Sequence, residues 1–259
     1  MAKSISATLT KSIEYLAIPY QFPGHFWELN RAIITQRELT HELTRLAPYR
    51  TWFKVQGIKT VLDIGAYIGS FAFAMRRILP DVRIISFDPL VKNTRALNEN
   101  LKGDPNFQVI QTALGDRNGT IDFWESDFTA SSSALEMADT HMKHFPASSV
   151  NRRITVPLKT LDDCLGDTQI EAPVLLKVDV QGFEKSVFAG GRKTLKKTDI
   201  IISEVSFRQL YKDQPLFEEI HDLLKQEGFV FAGLLDTLRS PLDGSILQAD
   251  ALFTRKSGK

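Results

Sequence analysis

Asp63, Gly65 and Gly69 stand in the run Val61-Leu62-Asp63-Ile64-Gly65-Ala66-Tyr67-Ile68-Gly69, and Asp88 follows nineteen residues after the last of them. Val61, Leu62 and Ile64 read as a strand buried on both faces. The glycines allow a sharp turn and a close backbone approach to a ligand, ahead of a helix whose first amides point back at the loop. That is the grammar of a nucleotide cradle. Asp88 ends the next apolar run, Ile84-Ile85-Ser86-Phe87-Asp88, and a carboxylate at the tip of the second strand of a βαβ unit can accept both ribose hydroxyls. The dinucleotide fingerprint would place glycines where this chain has Gly65, Tyr67 and Ser70, so NAD is disfavoured. A loop without that trio suits an adenosyl ligand lacking a pyrophosphate, of which S-adenosylmethionine is the best known.

A second cluster lies in Leu176-Lys177-Val178-Asp179-Val180-Gln181-Gly182-Phe183-Glu184. Lys177 and Asp179, two apart near the end of a buried strand, leave the same face. Ligands of open α/β sheets bind outside the carboxyl ends of the strands, so Asp179 is expected on one rim with Asp63, Asp88 and, from the next strand, Glu204. The simpler reading pairs Lys177 and Asp179 with neighbours and makes Glu184 the cap of the following helix. His141 and His144 would share a face if their segment is helical, offering a base from a lid; the simpler reading is two solvated histidines on a loop. His25, His41 and His221 carry no accompanying ligand pattern. No zinc or calcium spacing occurs, and Asp179 with Glu204 is weak ground for magnesium.

Residues 1–55 differ from the rest, with Pro19, Phe22, Pro23, Phe26 and Trp27 followed by a helical stripe of Leu39, Leu43 and Leu46. They read as an N-terminal helical cap on a domain spanning 56–259. From Val61 onward strands and helices alternate. Phe71, Ala72, Met75, Ile78 and Leu79 make one helical stripe, and Leu216, Phe217, Ile220, Leu223 and Leu224 another. Phe107–Thr112, Thr120–Glu125 and Ile154–Leu158 read as strands, the last at an edge because of Pro157. Ser126–Arg153 loses periodicity, as a lid or a disordered strip would. Val174–Val180 and Ile200–Val205 are central strands, and Phe229–Leu235 with Ala249–Thr254 close the fold as a pair. The pattern is α/β, a doubly wound, mostly parallel sheet with an antiparallel edge at its C-terminal end.

Charges nearly cancel, 32 basic against 31 acidic residues, so there is no overall electrostatic footprint for nucleic acid. One cysteine, Cys164, precludes an intramolecular disulfide and a thiolate cluster and fits a reducing compartment, with cytoplasm the expectation. No apolar run reaches the length of a signal peptide or membrane span.

Val61-Leu62-Asp63-Ile64-Gly65-Ala66 with Gly69, Asp88-Pro89, Leu161-Asp162, Lys177-Val178-Asp179-Val180 with Gly182, Glu184, and Ile202-Ser203-Glu204-Val205 together resemble the FkbM family of S-adenosylmethionine-dependent methyltransferases, over about residues 58–255. The resemblance implies a seven-stranded, Rossmann-like class I methyltransferase fold. It further implies methyl transfer to a hydroxyl, often on a sugar or a hydroxylated natural product, so that the partner is a small-molecule or glycan acceptor. By the same resemblance Asp63, Gly65, Ala66 and Gly69 are the methionine-side loop, Asp88 the ribose clamp, Ala113 and Leu114 the wall beside the adenine, and Asp179 faces the sulfonium and acceptor. Gln181 stands where the family usually carries glutamate. Asp179 is the first candidate base and Glu204 the second, with Lys177 orienting the acid or polarising the acceptor oxygen. The alternatives are a cofactor-binding module without turnover and a methyltransferase acting on a protein side chain. An amino-methyltransferase of nucleic acids would need Asp-Pro-Pro-Tyr where this chain has Asp179-Val180-Gln181-Gly182, and Cys164 lacks the Pro-Cys turn of cytosine-carbon enzymes.

Overall fold

The computed structural model describes residues 17–22, 24, 26–126, 131–145 and 151–256. The strands are β1 (Thr60–Ile64), β2 (Arg83–Asp88), β3 (Phe107–Gln111), β4 (Ala113–Leu114), β5 (Gly119–Ser126), β6 (Asn151–Lys159), β7 (Val174–Val178), β8 (Ile200–Ser206), β9 (Phe229–Arg239) and β10 (Ile246–Arg255). The helices used below are α1 (Phe26–Thr35), α2 (Arg37–Leu46), α3 (Ser70–Ile78), α4 (Val91–Asn100), α5 (Asp139–His144), α6 (Glu184–Ala189) and α7 (Phe217–Gln226).

Seven strands form one sheet in the order β3-β2-β1-β7-β8-β10-β9. Neighbours from β3 to β8 are parallel, and β10 runs antiparallel to both β8 and β9, so the antiparallel edge is the terminal hairpin. Every residue of β1 and β7 is buried, as continuous apolar runs require when helices cover both faces. One face packs Val61, Leu175 and Ile202 against Phe71, Met75 and Ile78 of α3 and Leu39, Leu43 and Leu46 of α2. The other packs Leu62, Leu176 and Ile201 against Val187 and Phe188 of α6 and Ile220 and Leu224 of α7. Gly69, at φ 91°, caps α3, and a Cβ there would lie 2.7 Å from Leu97 of α4. The missing atom leaves room for the Leu97 side chain against the loop.

A separate three-stranded sheet, β4-β6-β5, closes one side. Here β6 is the middle strand, not the edge expected from Pro157. The proline is tolerated because β4 pairs only with Leu158 and Lys159, leaving Pro157 with a single ladder partner, Thr120. The aperiodic stretch after β5 includes α5 and two bridges, Trp124–Ser133 and Met137–Tyr211. Residues 127–130 and 146–150 of that stretch lie outside the described residues, as do residues 1–16, Pro23 and His25 of the cap.

Helix α2 is tied to the sheet by charge as well as by leucines. Arg45 pairs with Glu42 on its own helix and with Asp250 of β10, and Asp236 of β9 lies 3.6 Å away. Removing one partner of a largely buried ion pair leaves the other uncompensated. Arg45→Met is therefore expected to lower stability by about 3 kcal/mol, read as a shifted urea midpoint with an unchanged slope. A separate early transition would instead mean that α2 unfolds independently of the sheet.

Candidate active site

The turn after β1 is shaped by backbone contact. Gly65 has φ 75°, and a Cβ built on it would lie 1.8 Å from the carbonyl oxygen of Asp179. Only glycine lets the ends of β1 and β7 meet this closely. Tyr67 also adopts the left-handed region, with φ 53°. Its N–H donates to Asp88 Oδ2 at 3.0 Å, and its hydroxyl donates to Glu38 Oε1 of α2 at 2.6 Å. The loop is thus held from the second strand and from the N-terminal helix at once.

Asp88 lies at the end of β2, and its Oδ1 accepts from the Leu90 N–H at 2.9 Å and from Asn93 Nδ2 at 3.0 Å. Burial pushes the carboxyl up to about 7, against the opposing pull of these donors. Beside it opens a cavity of about 290 Å³. β2, its following turn and α4 contribute Phe87, Asp88, Leu90 and Asn93; the β4 region contributes Thr112, Ala113 and Leu114; the loop contributes Gly65, Ala66 and Tyr67. Lys177, Asp179, Gln181 and Phe183 line it from β7 and beyond, Phe123, Ser132 and Ala134 from the smaller sheet and its neighbouring segment, and Glu38, His41 and Glu42 from α2.

Lys177 is the charge centre. Its ammonium lies 3.2 Å from Asp179 Oδ2, 3.9 Å from Asp63 Oδ1 and 5.5 Å from the Phe71 ring centre. Burial opposes its charge, but Asp179, Asp63 and Glu42 together hold it above the ordinary lysine value. Glu42 is likewise disfavoured by burial, yet Arg45, His41 and Lys177 bring it down to about 2. Asp63 is fully buried; its Oδ2 accepts from Ser86 Oγ at 3.2 Å, Oδ1 has no hydrogen-bond partner, and burial raises its carboxyl to about 6.

Asp179 Oδ1 accepts from Gln181 Nε2 at 2.8 Å, and the same amide donates to Glu204 Oε2 at 3.0 Å. Gln181 Oε1 in turn accepts from the Tyr211 hydroxyl at 2.9 Å. Burial, with Asp179 and Glu184 nearby, pushes the Glu204 carboxyl well above the carboxylate range. Glu184 Oε1 accepts from the Val180 and Gly182 N–H groups, both at 3.1 Å, and burial raises its carboxyl to about 7. It fastens the turn before its own helix.

Of the residues singled out in the sequence, Gly65, Ala66, Asp88, Ala113, Leu114, Lys177 and Asp179 line the cavity. Asp63, Gly69 and Glu204 stand behind the wall: Asp63 under Lys177, Gly69 in the α3–α4 contact, Glu204 beyond Gln181. His141 is not the solvated loop residue of the simpler reading. It is buried in α5, with its ring 5.4 Å from that of Tyr211, and burial lowers its pKa. His144 Nδ1 lies 2.7 Å from the Thr140 carbonyl one turn earlier. Glu38 and Glu42, four apart on α2, escaped notice because a charged helical face reads as solvated, and His41 between them carried no ligand pattern. Tyr67 sat inside the glycine loop without being singled out as a site residue, and Asn93 and Tyr211 had no motif around them. Among the described residues no group of three or more His, Cys, Asp or Glu side chains is placed to hold a metal ion, and no helix is long and apolar enough to cross a membrane.

The sheet is mostly parallel with one antiparallel edge, and Asp88 at the end of β2 and Asp179 just past β7 share one cavity. A family model described as the methyltransferase FkbM domain matches residues 63–231, and the chain belongs to that family. It is a methyltransferase. The 2-O-methyltransferase NoeI of Sinorhizobium fredii (strain NBRC 101917 / NGR234) is 31% identical over 170 residues, covering 63% of this chain and 70% of that protein. The AMB antimetabolite synthetase AmbE of Pseudomonas aeruginosa is 27% identical over 213 residues, 71% of this chain but only 10% of that protein. Among solved structures, the Burkholderia thailandensis 1,6-didemethyltoxoflavin-N1-methyltransferase with bound S-adenosylhomocysteine is 12% identical with a TM-score of 0.44, covering 94% of this chain and 90% of that one. Precorrin-6y C5,15-methyltransferase from Geobacter metallireducens GS-15 is 13% identical with a TM-score of 0.46, covering 83% and 88%.

Proposed function

We propose that this methyltransferase moves the methyl group of S-adenosylmethionine to a hydroxyl on a sugar, a glycan or a hydroxylated natural product. The observation that carries the reading is that Asp88 at the end of β2 and Asp179 just past β7 face one cavity that the Gly65 turn also lines. The residues fit the cofactor: Asp88 keeps acceptor capacity for ribose hydroxyls, Leu90, Ala113 and Leu114 offer apolar surface for a base, and the Gly65 turn leaves room where a side chain would stand. The 2-O-methyltransferase name of the relative from Sinorhizobium fredii supports a hydroxyl acceptor. The described part of the N-terminal segment serves as a cap on the domain from 56 onward, through Glu38, His41 and Glu42 on the wall. The cytoplasm suits this chemistry.

The cofactor supplies a methyl group already activated by its sulfonium. The protein has to align an acceptor oxygen in line with the S–CH3 bond at roughly 3 Å and exclude water. Asp179 would take the proton of the acceptor hydroxyl as the methyl group is transferred, and the cofactor would leave as its neutral thioether. Lys177 keeps that carboxylate facing the cavity.

Titration calorimetry tests the cofactor half. Micromolar binding is expected at pH 8, and Asp88→Ala should weaken it at least tenfold by removing the ribose acceptor. Ionised Asp88 is the better acceptor for hydroxyl donors, so affinity should fall as pH drops through about 7, and Asp88→Asn should flatten that dependence. No binding at any pH would sink the reading. Transfer of labelled methyl to a panel of glycans and hydroxylated metabolites tests the other half; tight binding with no transfer to any of them, or transfer only to protein, would replace it.

A further inference from the structure

The amide of Gln181 makes three hydrogen bonds, and each partner bears on the chemistry proposed above. A carboxamide has one acceptor oxygen and two N–H donors. Here one N–H goes to Asp179, the other to Glu204, and the oxygen receives the Tyr211 hydroxyl. Reversing the amide would aim its oxygen at two carboxyl groups, so the surroundings fix its orientation. The backbone is held with equal care. Gln181 has φ 54°, a region a residue with a Cβ occupies only when its surroundings impose it. Ser133 Oγ donates to its carbonyl at 2.7 Å, and the next N–H, that of Gly182, is taken by Glu184.

We propose that Gln181 is a positioning residue that divides two neighbouring acids into a cavity-facing base, Asp179, and a proton-holding support, Glu204, and ties that pair to the wall at Ser131–Ala134. The inference rests on Asp179 being the base. Without a donor between them, two acids this close share a proton and neither has a fixed role. With the amide between them each has its own donor, and the proton settles on the group with less compensating positive charge around it. Glu204 is that group: Asp179 and Glu184 face it, Lys177 is nearer to Asp179, and Asp250, its register partner on β10, is already paired with Arg45. Asp179, just past the end of β7, is faced by Lys177 of β7, Asp63 on β1, Glu204 on β8, Glu184 on α6, Arg45 on α2 and Tyr211.

The link through Tyr211 gives the arrangement its reach. The Tyr211 hydroxyl also lies 3.2 Å from the Ser131 carbonyl, its backbone bridges to Met137, and the Lys212 N–H donates to the Glu136 carbonyl at 2.8 Å. Ser132 and Ala134, on the segment so held, line the cavity. Orientation of the base and placement of one cavity wall therefore depend on the same amide.

The test is a carboxyl-carbon NMR titration of ligand-free protein labelled in Asp and Glu side chains, with signals assigned through Asp179→Asn and Glu204→Gln. In the wild type the Glu204 signal should stay at its protonated position through neutral pH. Gln181→Glu replaces two donors with an acceptor, and the Asp179 midpoint should rise by about one pH unit or more. Gln181→Met, of similar size and without donors, should make the Asp179 and Glu204 signals titrate together; it serves as the second variant if Gln181→Glu does not fold. Glu204 ionised at neutral pH in the wild type, or midpoints unmoved in both folded variants, would overturn the assignment. No cofactor or acceptor is needed, so failure here is distinct from failure of the calorimetry, which bears on the methyl-transfer reading alone.

Discussion

Asp179→Asn is expected to cut the methyl-transfer step about 10²- to 10⁴-fold, the usual worth of a positioned general base, while changing cofactor affinity less than tenfold. The substitution keeps the shape of the side chain and its place on the cavity wall. It removes the proton acceptor and the negative charge 3.2 Å from Lys177, whose remaining nearest carboxylate, Asp63, is 3.9 Å away. Single-turnover transfer to an acceptor found in the panel separates this step from binding. Glu204→Gln is the informative companion. It stands behind Gln181 and off the wall, so its loss should cost transfer far less than the loss of Asp179. Equal losses in the two variants would mean that the acids act as a shared pair, and a loss under tenfold in Asp179→Asn would leave alignment alone to explain the rate.

Gly65→Ala should be the most damaging single-methyl addition in the chain's cofactor loop. The new carbon would meet the Asp179 carbonyl at 1.8 Å and its carbon at 2.8 Å, both backbone atoms that no rotamer change can move aside. It would also hold a Cβ residue at φ 75°. Overpacking and left-handed strain together are expected to cost about 3 kcal/mol. The relief available is separation of the ends of β1 and β7, which are joined by the Asp179 N–H to the Ile64 carbonyl at 3.1 Å. Cofactor binding should fall at least a hundredfold, because the loop and Asp179 both shift. Chemical denaturation and calorimetry read the two effects separately; a folded variant with wild-type affinity would show that the loop relaxes without disturbing the cradle.

The parallel sheet was legible because its strands are apolar on successive residues and are punctuated by Gly65, Pro80 and Gly228. The tips of β1, β2 and β7 followed from the rule that ligands gather at carboxyl ends of strands. Side-chain depth was harder to read. Asp63 and Glu204 have the right strand positions, but the sequence does not say that one lies beneath Lys177 and the other beyond Gln181. Contacts between distant segments were beyond periodicity altogether. Glu38 reaches Tyr67 across 29 residues and Tyr211 reaches Gln181 across 30, and neither pair leaves a mark in the local pattern. His141 was missed for a similar reason: the burial of its ring rests partly on packing against Tyr211, which lies far along the chain.

Helix α2 is fastened at two places, to the loop after β1 through Glu38 and Tyr67 and to the sheet through Arg45 and Asp250. Its outward contribution, at positions 38, 41 and 42, lies before residue 63, where the family match begins. Two clasps and an inserted edge make this helix an exchangeable cassette. A homologue could retain the sheet, the loop and both attachment points, alter the side chains at positions 41 and 42, and present a different doorway to its acceptor. Trading those two positions between relatives, with the clasps left in place, is a direct route to redirecting the enzyme.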